Sequence, residues 1–221
     1  MGRYVVAVTG ASGAAYARRL VEALCVGGHD VDLLVTAAGF TVLAHELDWD
    51  DPRYSIGLEG AGRGEPGRRR PADGGLSARC EQFFRPQGAP GALRFHPIHD
   101  MMDDLASGSV AIDGMVVIPC TMGRVAALAS GRSADLLERA ADCTLKEGRR
   151  LIVVPRETPF SLIHLRNLTA LCEAGAVVMP AMPGFYHRPR SVGDVVDFMA
   201  GKVLARLGLP QTLLPPWNDL K

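Results

Sequence analysis

Short apolar runs alternate along this chain with stretches whose apolar residues recur every three or four positions. Val5-Val6-Ala7-Val8, Val31 to Val35, Met115 to Ile118, Leu151 to Val154 and Ala176 to Met179 are rich in Val, Ile and Leu. They read as strands of a parallel sheet covered on both faces. The intervening segments read as helices. One begins near Gly13, carries Tyr16, Leu20, Ala23 and Leu24 on one side, and stops at Gly27-Gly28. Others are predicted at about 40–47, 133–147, 161–173 and 191–207. Ser191 and Asp194 are spaced for a capping box, and Gly208 followed by Pro210 ends the last helix. Strand and helix alternating in this way predict an α/β domain.

The segment from Gly57 to Gly75 breaks the pattern, being rich in Gly, Arg and Pro with almost no apolar residue. It cannot repay the entropy of ordering. We therefore expect one domain over residues 1–221, carrying a flexible insertion at about 51–92. The residues that suit chemistry gather just after the apolar runs. In open α/β sheets that is where ligands bind, outside the carboxyl ends of the strands.

Composition narrows the class. With 24 basic and 24 acidic residues in 221, nothing draws the chain as a whole to nucleic acid or membrane. Arg68-Arg69-Arg70 reads as a solvated loop. The five cysteines form no C-x-x-C pair, which points to reduced thiols and a cytoplasmic location. The first strand starts too near Met1 for a signal peptide, and no apolar run is long enough to span a bilayer.

Several clusters carry candidate chemistry. Gly10-Ala11-Ser12-Gly13 joins the first strand to the first helix. Its glycines allow a tight turn, its free N–H groups and the helix dipole favour an anion, and Ser12 adds a hydroxyl. That favours phosphate or flavin over a plain turn, although G-x-G-x-x-G is not met. Thr36 ends the second strand. Pro119 to Arg124 makes another strand-to-helix turn, in which Thr121 offers a hydroxyl and Cys120 is a small packed residue rather than a nucleophile. Arg139, Asp142 and Lys146 share one helical face, which fits a solvated ion-pair ladder when taken alone. Arg156-Glu157, between Pro155 and Pro159, offers a planar fork for phosphate and a carboxylate able to move a proton. His96, His99, Asp100, Asp103 and Asp104 lack the regular spacing and further ligands of a metal site.

Taken together, the stretches TGASGA, PCTMGRVAALASG, LLERAADCTLKEGRRLIVVPRETPFSLIHLRNLTAL, GAVVMPAMPGFYHRPRSVGDVVDF and LGLPQTLLPPW resemble the flavin prenyltransferase family, the UbiX-like flavoproteins. The resemblance covers nearly everything except about 50–93. It implies a Rossmann-like, flavodoxin-like three-layer sandwich with a mostly parallel sheet. It also implies a transferase that joins a dimethylallyl group from dimethylallyl monophosphate to N5 and C6 of reduced FMN. The product, prenylated FMN, would serve a UbiD-type decarboxylase. No metal is implied, and the implied assembly is a homododecamer with sites between subunits.

Residue by residue, the resemblance implies that Gly10, Ala11, Ser12, Thr36, Thr121, Met122, Gly123, Arg124 and Arg156 hold FMN. Arg139, Lys146, Tyr186 and Lys202 would bind the prenyl phosphate. Ser12, Glu46 and Glu157 would be catalytic, with Glu157 moving protons. Trp217 in the tail would pack near a neighbouring subunit's site. Two positions depart from the family's usual Cys-Ser-x-Gly-Thr loop, namely Thr121 and Arg124. His99 to Asp104 stands where an aromatic and small residues are usual. Two other readings remain at this stage: a non-catalytic FMN carrier, and a related flavin-dependent cysteine decarboxylase.

Overall fold

The computed structural model describes residues 1–49 and 74–214. Six strands form one sheet: β1 (Arg3–Val8), β2 (Asp30–Val35), β3 (Leu93–His96), β4 (Gly114–Cys120), β5 (Arg150–Pro155) and β6 (Val177–Val178). Their spatial order is β3-β2-β1-β4-β5-β6. Every pairing is parallel. This is the doubly wound order, and it reverses direction between β1 and β4. Helices α1 (Ala14–Val26), α2 (Ala37–Leu47), α3 (Gly74–Phe84), α4 (Met122–Ala129), α5 (Leu136–Lys146), α6 (Leu162–Glu173) and α7 (Val192–Leu207) complete the described fold.

Side chains alternate across a strand, so each apolar run feeds two cores. Val6, Val8, Leu33, Val116 and Ile152 face Leu20 and Leu24 of α1 and Phe198 and Val203 of α7. Val5, Ala7, Met115, Val117 and Val153 face Val125 of α4, Leu137 of α5 and Leu171 of α6. The result is the expected three-layer sandwich. Full burial of a Val or Leu side chain is worth about 1.5–3 kcal/mol, so these two layers dominate the stability.

Helix starts are capped locally. Thr36, Thr121, Asp135, Ser161 and Ser191 each accept the backbone N–H three residues on. Each such cap contributes about 1 kcal/mol. Ser191 and Asp194 form the predicted capping box, and Gly208 takes the left-handed conformation (φ 81°) that ends α7.

Three elements differ from the sequence expectations. The expected insertion at 51–92 contains α3. There Leu76, Cys80, Phe83 and Phe84 share one side, and Phe83 packs edge-on against Trp49 at 5.0 Å between ring centres. The rest of that expectation, up to residue 73, lies outside the described residues, as does Trp217. β3 is an added edge strand, and its Arg94 and His96 hid it from a search for apolar runs. β6 retains only Val177–Val178 of the run from Ala176 to Met179.

Candidate functional site

The ends of the three central strands are tied together. The Thr9 hydroxyl donates to the Pro119 carbonyl (2.8 Å) and accepts from the Thr121 N–H (2.9 Å). The Arg156 N–H then donates to the Cys120 carbonyl (3.2 Å). Above this seam, at the reversal between β1 and β4, lies a cavity of about 260 Å³. Its wall includes Thr9, Gly10, Thr36, Ala37, Ala38, Thr121, Arg124 and the carboxylate-bearing Asp135. The N-termini of α2 and α4 both open here, and their caps Thr36 and Thr121 are among the lining residues. Two helix N-termini converging on one cavity favour an anion. Gly10 allows the close approach: a Cβ at that position would lie 2.5 Å from the Ala38 Cβ.

A second cluster stands beside this cavity. Glu46, near the end of α2, accepts from the N–H groups of Gly13 (2.9 Å) and Ala14 (2.9 Å). Arg156 Nε donates to the Ser12 carbonyl at 3.3 Å. Burial works against ionisation of Glu46. The Ser12 hydroxyl, the two N–H groups and the Arg156 charge outweigh it and hold the carboxyl below its usual range. The Tyr16 phenol belongs to the same cluster. Burial and the Glu46 charge push its pKa up, and Arg156 opposes them.

Part of the Gly10–Gly13 turn is not open to a ligand anion, because the Gly13 N–H is taken by Glu46. The start of α1 is already occupied by a carboxylate of the chain itself, reaching back 32 residues to Ala14. The first turns of α2 and α4 face the cavity through their caps Thr36 and Thr121. Of the expected FMN residues, Gly10, Thr36, Thr121 and Arg124 line the cavity. Met122 and Gly123 form the first turn of α4. Ser12 and Arg156 meet at the rim with Glu46.

Arg124 does not stand alone. Its Nη2 lies 2.5 Å from Asp135 and its Nη1 contacts Glu138. Glu138 is fully buried and also holds Arg132 Nε (3.0 Å) and the Ala134 N–H (2.9 Å). Burial disfavours its charge, but the Arg132 bond, the Ala134 N–H and the Arg124 charge prevail, so its pKa is lowered. Sequence reasoning missed Asp135 and Glu138. Their three-residue spacing marks a helix cap but does not reveal the partner.

The expected prenyl-phosphate residues separate into two groups. On α5, Arg139 donates to the Ala106 carbonyl (3.0 Å) and pairs with Asp142 (2.7 Å), and Lys146 pairs with Glu147. On the other face of the sheet, Tyr186 packs edge-on against Phe198 (5.7 Å), and the Lys202 ammonium lies 5.5 Å from the same ring. Glu157 is half-buried and accepts the Thr158 N–H at 3.0 Å.

Other polar residues have structural work. Asp32 is fully buried and takes Arg3 (2.6 Å), Arg94 (2.9 Å) and His96 (2.9 Å). The second nitrogen of His96 lies 2.6 Å from Asp103, whose carboxylate also caps the turn at Leu105. Asp103 is thereby committed to the sheet edge. Among the described residues no cluster of three His, Cys, Asp or Glu side chains is arranged to hold a metal. Burial pushes the Cys120 thiol up to about 12, so it stays protonated and inert. All five cysteines are free thiols.

Residues 2–204 match the family model described as Flavoprotein. The flavin prenyltransferase UbiX of Synechocystis sp. is 43% identical over 217 residues, covering 97% of this chain and 95% of the relative. This chain belongs to the UbiX flavin prenyltransferase family. The crystal structure of AnUbiX (PadA1) in complex with FMN and dimethylallyl pyrophosphate aligns with a TM-score of 0.78 and 33% identity, covering 98% of this chain and 97% of that one. A dodecameric FMN-dependent UbiX-like decarboxylase from Escherichia coli O157:H7 aligns with a TM-score of 0.76 and 31% identity, covering 97% and 98%.

Proposed function

We infer that this UbiX family member is a flavin prenyltransferase, joining a dimethylallyl group from dimethylallyl monophosphate to N5 and C6 of reduced FMN. The observation that carries the reading, beyond family membership, is the cavity at the β1/β4 reversal beside the Ser12–Glu46–Arg156 cluster. The flavin phosphate suits the cavity, where the first turns of α2 and α4, the hydroxyls of Thr36 and Thr121, and Arg124 supply donors. FMN, when bound, supplies the nucleophilic nitrogen. Ser12 and Glu46 hold and exchange a proton at the rim, and Arg156 fixes the Ser12 carbonyl. Glu157 is the remaining carboxylate for proton transfer, placed next to Arg156 at the end of β5.

Arg139, Lys146, Tyr186 and Lys202 suit a prenyl phosphate because cations and a phenol stabilise the departing charge. Their division between the two faces of the sheet supports a site completed between subunits. Exposed Leu162, Ile163, Met182, Phe185 and Val192 supply apolar surface for such contacts, and we place the chain in a homododecamer. No described helix is long and apolar enough to cross a membrane. We assign prenylated FMN to a UbiD-type decarboxylase and the enzyme to the cytoplasm.

The test is anaerobic incubation with reduced FMN and dimethylallyl monophosphate, followed by mass analysis of the released flavin. A gain of one C5H8 unit is expected. Unmodified flavin released from a protein that binds it tightly would instead support the carrier reading.

A further inference from the structure

Glu138 has more partners than its charge requires. It is a fully buried carboxylate held by two arginines, Arg124 from α4 and Arg132 from the turn before α5, and by the Ala134 N–H. The two arginines are not equivalent. Arg132 is more than half exposed, whereas Arg124 is mostly covered and lines the cavity at the ends of β1 and β4. Arg132 binds Glu138 through both Nε and Nη2, a two-pronged contact. Arg124 touches it through Nη1 alone, while its Nη2 faces Asp135. A guanidinium carries five N–H donors in a fixed plane, so it can release one carboxylate and keep another.

Removing one partner from a buried ion pair is normally costly, because the remaining charge is left without compensation. Here the cost is offset in advance. If Arg124 turns its Nη1 edge into the cavity, Glu138 keeps the Arg132 fork and the Ala134 N–H. Asp135 keeps the Glu138 N–H that it caps at 3.0 Å, along with Arg124 Nη2.

We propose that Arg124 is an exchangeable phosphate contact that selects FMN over riboflavin, with Arg132 as the reserve partner that keeps Glu138 paired when Arg124 leaves. This rests on the flavin reading above. In the absence of an anion, Arg124 rests on Glu138. A phosphate between the starts of α2 and α4 draws it away, and the wall formed by Asp135 stays in place. Arg132 therefore acts on binding without touching the ligand, as a positioning residue.

The test measures dissociation constants of oxidised FMN and of riboflavin, which lacks the phosphate, on the full-length protein and its variants. Wild type should prefer FMN. R132A should weaken FMN by about tenfold and leave riboflavin within about twofold, because Arg124 is then needed by Glu138. R132A/E138Q should restore the preference, since no buried charge remains to hold Arg124. Riboflavin affinity serves as the internal control for folding. An FMN-to-riboflavin ratio unchanged in R132A, an equal loss of both ligands, or no restoration in the double variant would each overturn the proposal and leave the flavin reading standing. A wild type that binds both flavins equally would do the same. A wild type that binds neither would overturn both.

Discussion

Glu46→Gln tests the carboxylate that occupies the start of α1. Glu46 lies 32 residues beyond Ala14, yet its carboxylate accepts the Gly13 and Ala14 N–H groups at 2.9 Å each. Glutamine keeps one oxygen acceptor but loses the negative charge facing the positive end of the helix. A charge at an exposed helix terminus contributes about 0.3–1 kcal/mol, and a charged hydrogen bond about 1.5–3 kcal/mol when desolvated. Glu46 is exposed, so screening by water keeps the sum near the low end, at about 1 kcal/mol. For a domain of this size that lowers Tm by about 2–4 °C. The pH dependence gives a second signature. The folded-state pKa of Glu46 is depressed from 4.5, so its contribution is fully present above pH 4.5 and is lost as pH falls through the folded value. Thermal unfolding followed by circular dichroism, at about pH 7 and then in steps towards about pH 3, should show a gap between wild type and variant that closes on the acid side. Equal Tm values near neutrality, or a gap that stays constant with pH, would refute this account of the α1 terminus.

Three further outcomes are expected. Glu157→Gln should keep FMN bound and lose prenyl transfer, read by flavin titration and product mass, and equal loss of both would exclude its role in proton transfer. Gly10→Ala places a Cβ 2.5 Å from the Ala38 Cβ, an overpacking that costs about 1–3 kcal/mol and distorts the cavity wall, so both Tm and FMN affinity should fall. Burial depresses the pKa of His96, but its bonds to Asp32 and Asp103 outweigh this and raise it above 6.5. The stabilisation from His96 is therefore complete below pH 6.5 and is lost as pH rises through the raised folded value. Wild-type Tm should decline over that window, and His96→Gln should remove this part of the decline.

What could be read from the sequence follows the range of the interactions. β1, β4 and β5 are legible because a strand buried on both faces must be apolar throughout, as in Val5 to Val8 and Leu151 to Val154. The Ser191/Asp194 box is legible because both partners lie within four residues of each other. β3 is not legible: it is an edge strand whose Arg94 and His96 are placed by Asp32, more than sixty residues earlier. α3 follows a Gly- and Arg-rich stretch, and its apolar side depends on Trp49, which local spacing cannot supply. In the site, Gly10, Thr36 and Thr121 could be found because strand ends carry ligands in such sheets. The occupation of the α1 terminus by Glu46 and the pairing of Arg124 with Asp135 and Glu138 could not, since neither contact follows a local periodicity.

The hydroxyl of Thr9 bridges to Pro119 and Thr121, groups separated from it by 110 and 112 residues. Closing so long a loop delays productive pairing, because chain entropy must be surrendered before the contact stabilises anything. β1 pairs with β2 on one side and β4 on the other, so without β4 one edge of β1 is left unpaired. The cavity cannot exist until that edge is covered. Completion of the cavity is thus tied to completion of the sheet: a chain ending before residue 114 carries Thr36 and the start of α2 but lacks β4, Thr121 and Arg124.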